Sequence, residues 1–284
     1  MKERGLLFYN QDYALQQLSN ISYFRIANYL RPFESDPVSH RYKVNSHFED
    51  ALSIYYFDKE LRLLIFSAIQ TIEIALRSKM IHHVSLQYGA FWFTNPELSN
   101  NHTMFEDNLR HIKREVSRSK EEFIQEHFRK YEYPDVPPVW KALEVTSFGT
   151  ISKLLCNLRD NRIKKKIARE FNLPQHICLE SWIKCMVVLR NCLAHHARIW
   201  NRRFPQIPQL SYPLRGKWID CAHVRPIKLY AQLSCLIYLQ NSILPNNNFV
   251  SDFKQLLVKY PSINLHEMGF PENWNEQPLW KGTV

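Results

Sequence analysis

Residues 176–203 read HICLESWIKCMVVLRNCLAHHARIWNRR, and their apolar side chains recur at the spacing of an α-helix. On an ideal helix, one stripe collects Leu179, Trp182, Ile183, Met186, Leu193, Ala194 and Ala197. The pattern predicts a mostly buried helix over 176–203 that ends near Pro205. Arg190 projects near the middle of the stripe, where its guanidinium would need a carboxylate, a partner subunit or a phosphate.

The rest of the chain also has the character of a helical protein. Only 6 glycines occur in 284 residues, whereas sheet-rich folds need more glycine in their turns. The longest helical pattern covers 48–87, with an apolar stripe from Leu61 to Leu76. Further helices are predicted over 11–18, 22–30, 104–130, 139–144, 151–158 and 227–244. We therefore expect an all-α fold.

One internal boundary stands out in the sequence. Residues 131–138, YEYPDVPP, break any helix and form either a loop over one face or a linker between two halves. We expect a single domain over 1–284, made of an N-terminal helical extension (1–45), a core (46–244) that contains a proline-rich loop at 133–138, and a C-terminal tail (245–284).

The positive charge of the chain is concentrated. The formal net charge is +10, and no acidic residue lies between Glu180 and Asp220. That interval contains the basic residues Lys184, Arg190, Arg198, Arg202, Arg203, Arg215 and Lys217. Such a field favours a polyanion, with nucleic acid the first candidate and a solvated basic face the alternative. The same two interpretations apply to residues 159–169.

Cysteine spacing and hydropathy indicate the cellular compartment of the protein. The six cysteines form no CxxC pair, and Cys178, Cys185 and Cys192 recur at heptad spacing, which is typical of small core residues in a reducing compartment. No segment reaches about 18 uninterrupted apolar residues, and the amino terminus does not resemble a signal peptide. We expect a cytoplasmic protein without a membrane span.

Arg190 and His195 together suit phosphate chemistry. Histidine, with an ordinary pKa of about 6.5, can exchange protons at neutral pH, and arginine can clamp a phosphate through two donors. An RNA strand supplies its own nucleophile, the 2′-hydroxyl, so cleavage needs no metal, whereas DNA lacks that group. On an ideal helix the two side chains diverge by about 140°, so two copies in a dimer would make a better site.

Glu73 is the candidate carboxylate for this site. It either pairs with Arg77 at the surface, four residues further along the same helix, or reaches the Arg190 helix and orients its arginine or histidine. A zinc site built from Cys192, His195 and His196 would lack further ligands at suitable spacing. No P-loop, Rossmann glycine pattern or GxSxG elbow occurs, and we expect no cofactor.

The segment from Arg190 to His195, RNCLAH, resembles the R-N-x-x-x-H form of the Rx4–6H motif of HEPN ribonucleases. Its continuation to Arg202 resembles the abortive-infection Abi-like (AbiD/AbiF) family of bacterial anti-phage proteins. Supporting matches lie in Arg4-Gly5, 21–25, Pro32-Phe33, Leu61-Arg62, Glu73, Arg77 and 140–149, so the resemblance covers about residues 4–203. The segment before Arg4 is shorter than in many members, and Leu193 replaces an expected cysteine.

The resemblance implies a HEPN-like helical bundle with extra N-terminal and C-terminal helices. It also implies a homodimer, metal-independent RNA cleavage in phage defence, and restraint by a small noncoding RNA. Arg190 and His195 are the carried-over catalytic pair, with Asn191 and Glu73 orienting them. We assign RNA contacts to Lys184, His196, Arg198, Arg202, Arg203, Arg77, Arg162, Lys164, Lys165 and Lys166.

Two other functions fit the sequence. The chain could be a non-catalytic RNA-binding module whose basic surface holds a structured noncoding RNA without cutting it. It could instead transfer a nucleotide onto a protein partner, although the sequence contains no obvious nucleotide pocket. The sequence alone does not choose between these and the ribonuclease.

Overall fold

A computed structural model describes residues 1–36, 38–211 and 213–281, and within these ranges the chain is mostly helical. The helices are α1 (Gln11–Ile21), α2 (Tyr23–Leu30), α3 (Phe48–Tyr88), α4 (His102–Arg118), α5 (Glu122–Lys130), α6 (Val139–Ala142), α7 (Phe148–Asn157), α8 (Asn161–Glu170), α9 (His176–Ala194), α10 (Leu229–Ile243) and α11 (Phe249–Lys259). A short antiparallel pair joins β1 (Glu34–Asp36) to β2 (Arg41–Tyr42). The predicted all-α fold is confirmed. No helix in the described ranges combines the length and apolarity that a membrane crossing requires.

Helix α3 is the centre of the fold. Its 41 residues extend over about 60 Å at 1.5 Å per residue. Leu61, Ile65 and Ile69 on its apolar stripe are fully buried. The helix packs against α2, α8, α9, α10 and α11, which is more neighbours than any other helix contacts. The predicted helix over 48–87 agrees with the observed bounds to within one residue.

One contiguous core includes residues from both ends of the chain. Leu6 and Trp280 belong to the same buried cluster as the apolar stripe of α3. Helix α11 packs on α3, and Phe253 of α11 stacks on Phe270 with ring centroids 5.5 Å apart. Val136 of the proline-rich loop is also buried in this core. The loop therefore packs against the body of the protein and does not separate two cores.

The predicted helix over 104–130 is interrupted. Helix α4 ends at Arg118, and α5 begins at Glu122. Ser119 between them is extended, and its hydroxyl accepts a hydrogen bond from the Glu121 backbone N–H at 3.2 Å. Because that contact replaces a helical hydrogen bond, one continuous helix was the wrong prediction here.

The predicted helix over 176–203 is too long. Helix α9 ends at Ala194, and His196 has a left-handed backbone with φ 53°. The His196 N–H donates to the Leu193 carbonyl at 3.0 Å, and the Ala197 N–H donates to the Cys192 carbonyl at 2.8 Å. This Schellman ending satisfies the last carbonyls of the helix. Glycine usually occupies the left-handed position, so the histidine there gave no sequence signal for the helix end.

Gly269 offers a test of packing in the C-terminal segment. Its φ is +89°, and a Cβ atom there would lie 2.5 Å from the Cβ of Lys228. We expect Gly269→Ala to lower the free energy of unfolding by about 1–3 kcal/mol, because the backbone and the contact are both unfavourable for alanine. Urea denaturation measures the change. Gly89→Ala is the control for positive φ alone, since no atom lies within 4 Å of its added Cβ; equal losses in both variants would contradict the role of the Lys228 contact.

Candidate active site

The end of α9 presents the polar residues of the RNCLAH segment. The Arg190 side chain is 34% exposed, while Asn191 and His195 are exposed. His195 caps the helix, and its backbone N–H donates to the Asn191 carbonyl at 3.1 Å. Within the described part of the chain, no hydrogen bond or ion pair involves the His195 imidazole. The ring is therefore free to meet a ligand.

Glu73 projects from α3 and joins two arginines. Its Oε1 lies 3.1 Å from Nη2 of Arg77, and its Oε2 lies 3.9 Å from Nε of Arg190. Burial raises the pKa of Glu73 above its ordinary value, although the two arginines oppose this shift. The two alternatives weighed for Glu73, an ion pair with Arg77 and contact with the Arg190 helix, thus occur together. Glu73 holds the Arg190 guanidinium on one side and leaves the rest of it accessible.

Arg77 is not placed as a surface cation. Its side chain is only 11% exposed, and its Nη2 also donates to the Thr146 carbonyl at 3.3 Å. The RNA contact by Arg77 stays a prediction, and its guanidinium is already engaged by Glu73 and by the backbone of a neighbouring segment. Its position makes it a partner that orients Glu73.

A buried carboxylate anchors the chain just after His195. Asp58 of α3 is fully buried, and its Oδ1 accepts the backbone N–H groups of Ile199 at 3.1 Å and Trp200 at 2.6 Å. Its Oδ2 accepts the Tyr29 hydroxyl at 2.7 Å and pairs with Nη1 of Arg62. Burial raises the pKa of Asp58, whereas Arg62 and the other donors favour the charged form. The network attaches the segment after His195 to the central helix.

Helix α2 and Lys228, which directly precedes α10, contact the segment that follows His195. Arg25 of α2 donates to the His196 carbonyl at 2.8 Å. Arg198 donates back to the carbonyl of Asn28 at 3.0 Å. Lys228 Nζ lies 2.7 Å from Asn201 Oδ1, which ties the far end of the segment to α10. Contacts from three parts of the fold therefore set the conformation that follows His195.

The sequence interpretation overlooked this anchoring network. Asp58 and Arg62 are four residues apart on the buried side of α3, beside Leu61 and Ile65. Two opposite charges at this spacing within an apolar stripe are a detectable signal, since a lone buried charge would be very costly. No comparable signal in the sequence identifies Arg25, which acts through a carbonyl far along the chain.

The basic residues from Lys184 to Arg203 do not lie along one face of α9. Lys184 is exposed on the helix, and His196 and Arg203 are exposed after its end. Arg198 and Arg202 lie beyond the last turn and are half-buried, and Arg202 donates to the Arg198 carbonyl at 3.3 Å. Burial lowers the pKa of Arg198. Helical spacing does not apply after Ala194, so Arg198 and Arg202 do not continue the surface of α9.

The basic residues of α8 lie at the other end of α9. Lys164 is buried, with its Nζ 3.0 Å from Oε1 of Glu180 in the second turn of α9. The RNA contact by Lys164 stays a prediction, and it would require this buried ion pair to open. Lys165 and Lys166 are exposed, as is Arg162, which pairs with its neighbour Asp160. Because Glu180 precedes the end of α9 by about 20 Å, the α8 cations do not belong to the His195 site.

The cysteines at heptad spacing lie in the core, and potential metal ligands are dispersed over the described residues. Cys178, Cys185 and Cys192 are buried and unpaired, as predicted for core residues. Burial raises the pKa of the Cys178 and Cys185 thiols to about 12. Among the residues that the structure describes, no three potential metal ligands of the histidine, cysteine or carboxylate type lie together.

Removing the charge of Glu73 tests its link to Arg190. We expect Glu73→Gln to reduce any activity of the site by about tenfold, because a weaker partner leaves the Arg190 guanidinium less well oriented. The measurement is the rate of this activity at a saturating substrate concentration. Glu144→Gln is the matched control, since Glu144 is more exposed and, among the described side chains, pairs with Arg77 alone, at 3.5 Å. Equal activity of both variants and wild type would show that Glu73 does not orient the site.

Comparisons with known proteins identify the family. Neither a curated protein nor a solved structure matches the chain. The model of the family described as Abi-like protein matches residues 16–201, which include Glu73, Asp58 and the RNCLAH segment. The match covers more than half of the sequence, and this family suggests a role in abortive infection, a defence against phage. The chain therefore belongs to the Abi-like protein family.

Proposed function

We propose that this Abi-like protein is a metal-independent endoribonuclease toxin of abortive infection. The observation that carries the proposal is an exposed His195 imidazole, without a partner among the described residues, that follows α9 five residues after a partly exposed Arg190 held by Glu73. Both residues lie in an interval without a single acidic residue, between Glu180 and Asp220. A local positive field of this kind attracts a phosphodiester backbone.

These residues can promote attack by the 2′-hydroxyl of RNA on the neighbouring phosphorus. A base takes the hydroxyl proton, the O2′–P bond forms, and the P–O5′ bond breaks as an acid protonates the leaving oxygen. His195 exchanges the proton, and Arg190 stabilises the negative charge on the phosphoryl oxygens. Asn191 and Glu73 orient this pair. The products end in a 2′,3′-cyclic phosphate and a 5′-hydroxyl.

One imidazole cannot be base and acid in the same step, so we propose that a second copy of the chain completes the site. His195 lies at the exposed end of α9, where a second His195 can approach the same phosphate. The proposed assembly is a homodimer whose core, residues 46–244, is HEPN-like. RNA is its substrate in the cytoplasm, and a small noncoding RNA restrains it.

Purified wild type and His195→Ala should be incubated with total bacterial RNA in EDTA, and the product ends identified. We expect fragments with 2′,3′-cyclic phosphate ends from wild type alone. Intact RNA with both proteins would contradict the ribonuclease. If that intact RNA remained bound in a salt-sensitive manner, the result would favour the alternative function of an RNA-binding module, which the exposed Lys184 and Arg203 would suit.

A further inference from the structure

A basic cleft lies between the end of α10 and the start of α11. It is bounded as well by residues around Arg215 and by the segment at 279–281. Its volume is about 410 Å³, within the range of sites that bind small organic ligands. The Tyr238 hydroxyl lies 3.0 Å from the Asn172 carbonyl oxygen and 2.9 Å from that of Arg215, which fixes two walls of the cleft against each other.

The charge of the cleft lining has one sign. Arg215, Lys217, Lys254 and Lys281 line it, and no carboxylate does so among the residues described. Arg215, Lys254 and Lys281 form no ion pair with any described side chain. Four cations around one concave surface repel each other, and a bound anion would relieve that repulsion. The cleft therefore favours a ligand with several negative charges.

The start of α11 adds neutral donors to these cations. Val250 and Ser251 line the cleft in the first turn of this helix. The first N–H groups of a helix have no intrahelical acceptor and can bind an anion. The Asn248 side chain does not cap them, while Asn247 Oδ1 accepts only the Phe249 N–H, at 3.2 Å. Two backbone amides thus complement the side-chain cations.

The remaining lining suits an organic group. Asn172 supplies an amide donor and acceptor, Asn241 supplies an amide whose Oδ1 already accepts from Asn247 at 2.7 Å, and Leu279 supplies an apolar surface. Inorganic phosphate would use the cations but would leave the Asn172 amide and Leu279 without a contact. A ligand that combines phosphates with a heterocycle and hydroxyl groups uses both parts of the cleft.

The cleft is separate from the His195 site. Trp182, in the first half of α9, stacks on Trp218 with ring centroids 5.2 Å apart, and both rings meet Tyr238 edge-on. The cleft is therefore beside the beginning of α9, whereas His195 follows its end. The separation of 13 positions between Trp182 and His195 corresponds to about 20 Å along the helix.

We propose that this cleft binds a nucleoside di- or triphosphate. Arg215, Lys254 and Lys281 hold the phosphates, and the asparagine amides contact the nucleoside. The proposal does not rest on the proposed ribonuclease function, because none of the cleft residues belongs to the His195 site.

Isothermal titration of the full chain with ATP, GTP, CTP and UTP tests the proposal, with inorganic tripolyphosphate as a further ligand. We expect one saturable site for at least one nucleotide, with tighter binding than tripolyphosphate. Arg215→Ala/Lys254→Ala should weaken binding at least tenfold, because each substitution removes a charge-assisted contact. Arg129→Ala/Lys153→Ala removes the same charge from exposed positions outside the cleft and should bind as wild type does. His195→Ala should also retain nucleotide binding.

Three results would overturn the proposal. The first is the absence of saturable binding by any of the four nucleotides. The second is an equal loss of affinity in the two double variants, which would reflect net charge and not the cleft. The third is displacement of the nucleotide by a short RNA hairpin whose affinity falls more than that of the nucleotide in Arg215→Ala/Lys254→Ala. That result would assign the cleft to RNA. Lys254→Gln alone, tested by the same titration, covers the case in which the double variant does not fold.

Discussion

Replacing Asp58 by asparagine is expected to lower the free energy of unfolding by about 3–5 kcal/mol, since it breaks a buried ion pair on one side only. The carboxylate accepts hydrogen bonds from Tyr29, Arg62, Ile199 and Trp200. An asparagine has one oxygen and one NH₂ group, so its NH₂ would face two of these donors. Arg62, which is 7% exposed, would lose its charged partner.

Urea denaturation of wild type and Asp58→Asn measures this loss, and a second variant isolates its cause. Asp58→Asn/Arg62→Met removes both charges and should be more stable than Asp58→Asn, because no buried guanidinium is left unpaired. Asp107→Asn is the matched control, because Asp107 pairs with Arg110 on an exposed helix face at 2.9 Å. That surface pair should contribute no more than about 0.5 kcal/mol. Similar losses in Asp58→Asn and Asp107→Asn would contradict the anchoring role of Asp58.

Replacing His195 by alanine is expected to reduce single-turnover cleavage of RNA by about 10²- to 10⁴-fold, which is the usual contribution of a positioned acid or base. Arg190→Ala should lower the same rate by about 10²- to 10³-fold, since it removes a donor aimed at the developing phosphoryl charge. The double variant should be little slower than His195→Ala, because residues that act as a unit are not additive. Rates on a short single-stranded RNA in EDTA provide the measurement.

The fold should tolerate the loss of the His195 ring. The imidazole is exposed and has no partner among the described residues, so the free energy of unfolding should change by no more than about 0.5 kcal/mol. His223→Ala is the matched control, an exposed histidine in the segment before α10, and should cleave RNA at the wild-type rate. Full activity in His195→Ala, or a comparable loss in His223→Ala, would exclude His195 as the catalytic group.

A helix with a regular apolar stripe can be predicted from sequence, whereas a helix end set by a single polar contact cannot. Helix α3 was predicted almost to its ends because its apolar stripe is regular and Gly89 follows it directly. The break at Ser119 was not predicted, because a single hydroxyl contact ends α4 and no proline or glycine marks the position. The location of Lys164 was misjudged because its partner Glu180 lies on a different helix.

The candidate site also has one part that the local sequence indicates and another that depends on tertiary packing. Arg190, Asn191 and His195 were recognisable as a local cluster, and Glu73 was selected for its position beside the apolar stripe of α3. The contact of Glu73 with Arg190, at 3.9 Å, depends on the packing of α3 against α9. Local spacing indicates which face of a helix is buried, but it does not indicate which other helix packs against that face.

The sequence by itself determined that this chain is helical, that α3 and α9 are buried, and that a histidine and an arginine lie together in an acid-free interval. Periodicity, composition and charge are local properties that survive without a structure. Only the tertiary structure decided where α9 ends and how the chain continues beyond it. His196 adopts a left-handed conformation and its carbonyl accepts from Arg25, while Asp58 holds Ile199 and Trp200; both partners lie more than 100 positions away in the sequence. Long-range hydrogen bonds of this kind override local helical propensity because a buried carboxylate must find its donors.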